Sequence, residues 1–79
     1  MSMNKNPIEV VKALPPSYVK GAVADVLAWR RTGLLPAACR LRDIANDIGV
    51  GGPDDEFLLR RAEDAVMTVA ASRWAGLID

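Results

Sequence analysis

A chain of 79 residues holds one domain's worth of sequence. A domain that small buries only about 60–65% of the surface its unfolded chain exposes, so its stability margin is thin. Half of the residues are apolar and ten basic side chains balance ten acidic ones, a composition too hydrophobic for a disordered chain. There is no histidine and a single cysteine, Cys39. Those two facts exclude Ser–His and Cys–His dyads, the usual metal ligand, and any internal disulfide.

Only Tyr18, Trp29, Phe57 and Trp74 are aromatic. The core must therefore come from Val, Leu, Ile and many Ala, which let helices approach closely but bury little area each. Charge is unevenly spread. Residues 1–42 carry seven Lys/Arg against Glu9 and Asp25, a net +5, whereas residues 43–79 carry three Arg against eight acids, a net −5. Such asymmetry suits either an acidic partner for one half or pairing of the two halves, within the fold or between copies. The N-terminal residues lead into no long apolar run, so neither a signal peptide nor a membrane span is expected. The single cysteine points to a reducing cytoplasm. The abundance of Ala, Arg and Val, with all three lysines before Gly21, is usual in GC-rich bacterial coding.

The breakers Pro7, Pro15-Pro16, Gly33 with Pro36, and the stretch from Gly49 to Pro53 divide the chain into four segments of helical spacing. Residues 1–6 are expected to be a flexible N-terminus. The first helix, residues 7–14, has proline at its first position, where the missing N–H costs nothing, and offers Ile8, Val11 and Val10 for docking. The second is expected over residues 17–32. Val19, Val23, Val26 and Leu27 form one apolar stripe, and Tyr18, Ala22, Val26 and Trp29 a neighbouring one. Gly21 inside it permits a close approach, and Gly33 is the C-terminal stop after Arg30 and Arg31, whose charges suit the negative end of the helix dipole.

The third helix is expected over residues 36–48, with Ala38, Leu41, Ile44, Ala45 and Ile48 on one face and Arg40, Asp43, Asn46 and Asp47 on the other. The fourth is expected from residue 53 to 74 or 76, opening on Asp54, Asp55 and Glu56 and burying Leu58, Ala62, Ala65, Val66 and Val69. On its outside Glu56–Arg60 and Arg60–Asp64 make i, i+4 pairs. At about 30 Å it is the longest element, on which the others wrap. The fold class is all-α, a single bundle of about four helices over residues 1–79.

No set of residues reads as catalytic. Cys39 lies beside Arg40 near a helix start, two features that lower a thiol pKa, but its place among Ala37 and Ala38 reads as a small buried side chain. The glycines at 49, 51 and 52 precede a helix as a phosphate-cradling loop does, yet no Lys, Ser or Thr completes a P-loop and three acids follow. Those acids have no calcium-loop spacing. The chain is therefore expected to be no enzyme, with no cofactor, no metal and no small-molecule substrate.

Two binding functions remain. The first is a non-catalytic helical protein that acts on another protein as a subunit, adaptor or inhibitor, or that self-associates. Tyr18, Trp29, Arg30, Arg31 and Trp74 are its candidate contact residues, because aromatic side chains and arginine concentrate at interfaces. The alternative is a compact helix-turn-helix DNA-binding regulator. Leu41, Ile44, Ala45, Ile48, Gly49 and Val50 read like the first helix and turn of that motif, with Arg40 and Arg42 on phosphates and Arg60 and Arg61 reaching the groove. Against it, the second helix would lead with Asp54, Asp55 and Glu56, at the end that normally meets the DNA.

Overall fold

The first helix starts, and the second ends, where the local sequence supplies a partner for the terminal backbone groups. The structure, a computed structural model, describes residues 5–49 and 56–74. Four helices appear, α1 (Pro7–Lys12), α2 (Pro16–Thr32), α3 (Arg40–Ile48) and α4 (Glu56–Arg73), and no strand among the described residues. The fold is the all-α bundle expected. Asn6 caps α1 by accepting the Ile8 N–H at 3.0 Å, with Pro7 in the first turn. Residues 5 and 6, expected to belong to a loose terminus, are thus tied down. Lys5 also donates its backbone N–H to the Ile48 carbonyl at 2.6 Å, satisfying an end group that α3 leaves open. Residues 1–4 lie outside the described residues.

Proline starts α2 and Gly33 ends it. Gly33 adopts φ 74°, the left-handed conformation that glycine takes without cost, and its N–H donates to the Trp29 carbonyl at 2.8 Å. Thr32 helps the stop: its hydroxyl donates to the Ala28 carbonyl at 2.8 Å and accepts the Leu34 N–H at 3.1 Å.

The third helix departs from the expectation. It starts at Arg40 rather than at residue 36, and Ala37 and Ala38 are exposed. Two contacts from outside the segment explain this. The Asp25 carboxylate of α2 accepts the Arg40 N–H at 2.9 Å, doing the work of an N-cap that Cys39 does not do itself. The Arg42 side chain folds back to donate to the Pro36 carbonyl at 2.6 Å and the Leu35 carbonyl at 3.4 Å, holding residues 35–36 against the helix start. Cys39 therefore sits half-buried at the cap position with extended backbone, not inside a helix among alanines. Gly49 after Ile48 is extended as well, with φ −156° and ψ −170°, so it does not adopt the left-handed conformation for which a turn needs glycine.

α4 touches α1, α2 and α3, as expected of the element the rest wraps on, and with 18 residues it is among the longest, beside α2 with 17. The expected start at residue 53, with Asp54 and Asp55, and the end at Gly76 lie outside the described residues. The core consists of Val11, Val19, Ala22, Val23 and Val26 with Leu41, Ile44, Ala45 and Ile48, all closed by the buried face of α4. On α4 the expected Leu58, Ala62, Ala65, Val66 and Val69 are joined by Leu59 and Ala70. Of the apolar stripe expected on α2, Val19, Val23 and Val26 are buried, whereas Leu27 at its edge is 39% exposed. The Cα radius of gyration is 11.7 Å, against about 11.6 Å for a self-contained domain of this length. The core thus closes within one chain.

Candidate functional site

A concavity of about 640 Å3 lies where the C-terminal end of α2 meets the N-terminal half of α4. Trp29, Arg30, Leu35, Arg42, Leu59 and Arg60 line it. Its geometry follows from one buried charge. Glu63 lies on the inner face of α4, one turn from the buried Leu59 and three residues from the buried Val66, with a side chain only 12% exposed. A carboxylate there must be paired. Arg30 of α2 meets it with a fork: both Nε and Nη2 lie 2.7 Å from Oε2. Arg60, one turn before Glu63 on α4, brings Nη1 to 3.8 Å from Oε1 and Nη2 to 3.2 Å from Glu56 Oε2. The Arg60 guanidinium also lies over the Trp29 ring, 5.3 Å from its centre. The result is a half-buried tryptophan set in a frame of arginines held by two glutamates.

A second concavity of about 400 Å3 adjoins it across Arg30, Arg60 and Glu63. On its lip stands Phe57, 60% exposed, with the Arg61 guanidinium 5.4 Å from its ring centre. Leu34, in the connection after α2, is 75% exposed. The end of the bundle formed by α2 and α4 thus presents apolar surface interleaved with arginine.

The candidate contact residues do not share one face. Trp29 and Arg30 lie together in the large concavity, and Arg31 beside them is exposed. Tyr18 lies eleven residues back along α2, about 16 Å away along the helix. It lines a different groove with Val10, Leu14, Asp43, Ile44 and Asp47, and donates its hydroxyl to Asp43 Oδ2 at 3.1 Å. Burial and the Asp43 carboxylate beside it push the Tyr18 pKa above the usual 10.0. Trp74 follows α4 and is half-buried between cations. Lys20 Nζ lies 5.3 Å from its ring centre and the Arg73 guanidinium 6.0 Å, while Arg73 also donates to the Lys12 carbonyl at 3.1 Å. That environment packs the two helix ends together.

The arginines of the DNA-binding reading also separate. Arg42 and Arg60 line the same concavity. Arg40 instead lies across Gly21 and over the Tyr18 ring at 5.6 Å, and Arg61 turns toward Pro7 and Ile8 of α1. The turn linking α3 to α4 lies outside the described residues. Among the described residues no three His, Cys, Asp or Glu side chains gather as metal ligands, and no helix is long and apolar enough to cross a membrane.

Sequence reasoning missed Glu63, the residue that organises the site. The signal was present: Glu63 falls at the fourth position after Leu59 and the third before Val66, inside the buried stripe of α4. Compared with models of known protein families, with curated proteins and with solved structures, the chain matches none.

Proposed function

We propose that the protein is a non-catalytic helical module that acts by binding another protein, and that it does so at the depression around Trp29. The observation carrying this reading is a half-buried tryptophan inside a 640 Å3 concavity framed by Arg30, Arg42 and Arg60, with exposed Phe57 and Arg61 on the adjoining lip. Tryptophan and arginine are the side chains that anchor protein interfaces. Their ring–guanidinium stacking presents apolar area and positive charge together. The partner segment this chemistry fits brings an apolar side chain to cover the indole and hydrogen-bond acceptors for the guanidinium N–H groups that Glu56 and Glu63 leave open. Because the core closes within the chain, the partner is expected to dock on the surface rather than complete the fold.

The test is affinity capture from the native cell with wild type, Trp29→Ala and Arg60→Glu, with and without nuclease. A partner retained by wild type, lost by both variants and indifferent to nuclease supports the reading. Equal capture by all three proteins refutes the site.

The DNA-binding regulator is the second reading. It is favoured by the succession of α3 and α4 and by Arg42 and Arg60 on one concavity. It is weakened by the two glutamates that already hold Arg60, since a guanidinium in such pairs gains less from a phosphate. Capture abolished by nuclease, or nanomolar binding to one defined operator at physiological salt, would put it first.

A further inference from the structure

The charges of Arg30 and Arg60 in the Trp29 depression are already matched by two carboxylates. Arg30 Nε and Nη2 both lie 2.7 Å from Glu63 Oε2. Arg60 Nη1 lies 3.8 Å from Glu63 Oε1, and its Nη2 lies 3.2 Å from Glu56 Oε2. Arg42, the third cation of the lining, turns Nε and Nη2 to the Pro36 and Leu35 carbonyls. A guanidinium carries five N–H groups, so Arg30 and Arg60 keep donors for a ligand although their charges are matched. Trp29, Leu35 and Leu59 supply the apolar part of the lining. The depression therefore offers hydrogen-bond donors and apolar surface together, with little positive charge left over.

That balance decides which acceptor fits. An acceptor hydrogen-bonded to Arg60 Nη2 lies within about 6 Å of Glu56 Oε2, and one on Arg60 Nη1 within about 7 Å of Glu63 Oε1. An acceptor on Arg30 Nη2 lies within about 6 Å of Glu63 Oε2. These distances are shorter than the screening length of about 8 Å at physiological salt. A carboxylate arriving at Arg60 would be attracted by one guanidinium and repelled by two carboxylates. Little Coulombic gain is then left to offset its desolvation. An amide or backbone carbonyl meets the same donors without that repulsion and gives up less hydration. We propose that Glu56 and Glu63 select against acidic ligands, and that the Trp29 depression takes an uncharged peptide segment. Such a segment sets an apolar side chain on the indole and amide or backbone carbonyls on Arg30 and Arg60. The inference rests on the reading that this depression binds protein, and it names the specificity-determining residues and the ligand class of that site.

A phage-displayed library of random peptides tests it, selected on immobilised wild type and depleted of binders to Trp29→Ala. The selection is repeated on Glu56→Gln. The Glu56 side chain is 73% exposed, and the glutamine oxygen still accepts from Arg60, so the charge goes while the geometry stays. Circular dichroism checks that both variants fold, and Arg60→Ala serves for depletion where Trp29→Ala does not. Wild type should select apolar residues beside Asn, Gln or Gly, with Asp and Glu no commoner than in the library. Synthetic copies of these peptides should bind with a Kd that changes less than about twofold between 0.05 and 0.5 M salt. Selection on Glu56→Gln should enrich Asp and Glu. Changing the Asn and Gln of a wild-type binder in turn to the corresponding acid should weaken binding to wild type. At the position facing Arg60 that penalty should shrink by about three- to tenfold on Glu56→Gln, as a unit charge removed at about 7 Å requires. Peptides rich in Asp or Glu selected by wild type overturn the proposal, as does equal acid content on wild type and Glu56→Gln. Either result leaves the proposed function standing, because the peptides still need Trp29. A library that yields no Trp29-dependent binder refutes the proposed function, and this inference with it.

Discussion

The Arg30–Glu63 contact should be strongly asymmetric: losing the arginine should destabilise the fold far more than losing the glutamate. Glu63 has a side chain 12% exposed, whereas that of Arg30 is 52% exposed. Arg30→Met leaves a nearly buried carboxylate whose remaining cation, Arg60, sits 3.8 Å from its other oxygen. Stranding a fully buried charge costs about 3–5 kcal/mol, and losing an exposed pair costs at most about 1 kcal/mol. With one buried partner, one half-exposed partner and a weaker substitute cation, the loss should be about 1.5–2 kcal/mol. Glu63→Met removes the charge that needed pairing, lets Arg30 turn to water and adds apolar volume beside Leu59 and Val66, so it should cost under about 0.5 kcal/mol. Urea unfolding followed by circular dichroism reads both, with unchanged m-values confirming that only stability moved. In a domain of this size Arg30→Met should lower Tm by roughly 6–16 °C. Adding Glu63→Met to Arg30→Met should recover most of that loss. Equal losses in the two single variants, or no recovery in the double, would refute the view that Glu63 is the buried charge around which the site is built.

Three further outcomes follow from named contacts. Asp25→Ala should cost about 1 kcal/mol by removing the acceptor for the Arg40 N–H, and Asp25→Asn much less; thermal melts of the two variants compare them. Gly21→Ala should be close to neutral. Alanine gains about 1 kcal/mol inside a helix, but its Cβ would fall 2.5 Å from Arg40 Nε and drive that side chain off the Tyr18 ring. In an Arg40→Ala background the same change should yield the full gain, which a double-mutant cycle measures. Tyr18 is the only tyrosine, so absorbance at 295 nm follows it alone, and its midpoint should lie above 10.0 and fall toward it in Asp43→Asn. Because the folded protein holds this proton more tightly than the unfolded chain does, Tyr18 contributes stability that is complete below pH 10 and is lost as pH rises from there through the folded pKa.

The parts of the fold legible in the sequence were those decided by neighbours along the chain. Gly33 after Arg30 and Arg31 ended α2 because only the local backbone had to turn left-handed. Leu41, Ile44, Ala45 and Ile48 were readable as one face because a helix sets their spacing whatever lies opposite. The start of α3 was not readable in this way. Pro36 is a good first residue for a helix, and the sequence offers nothing nearer to oppose it. The residues that move the start to Arg40 are Asp25, fifteen positions earlier, and Arg42, which reaches back to carbonyls ahead of the helix. Neither contact exists until α2 and α3 are packed together.

The same distinction separates what could and could not be foreseen of the site. Trp29 and Arg30 were readable as contact residues by type, and Tyr18 and Trp74 were drawn in for the same reason. Type alone could not distribute them. Tyr18 is committed to Asp43 and Arg40, and Trp74 to Lys20 and Arg73, at other parts of the surface. What gathers Trp29, Arg30 and Arg60 is Glu63, a carboxylate placed where α4 would otherwise present another aliphatic side chain to α2. An apolar residue there would pack at least as well, since a buried ion pair contributes little net stability over a hydrophobic substitute. What the pair provides is orientation. With Arg30 forked onto Oε2 and Arg60 drawn between Glu56 and Glu63, the guanidinium over Trp29 is held in place before any ligand arrives. A partner would then meet a preorganised surface rather than loose side chains, and less ordering entropy would be lost on binding. Glu63→Met separates the two roles: the fold should survive it almost unchanged, while affinity at the Trp29 depression should fall.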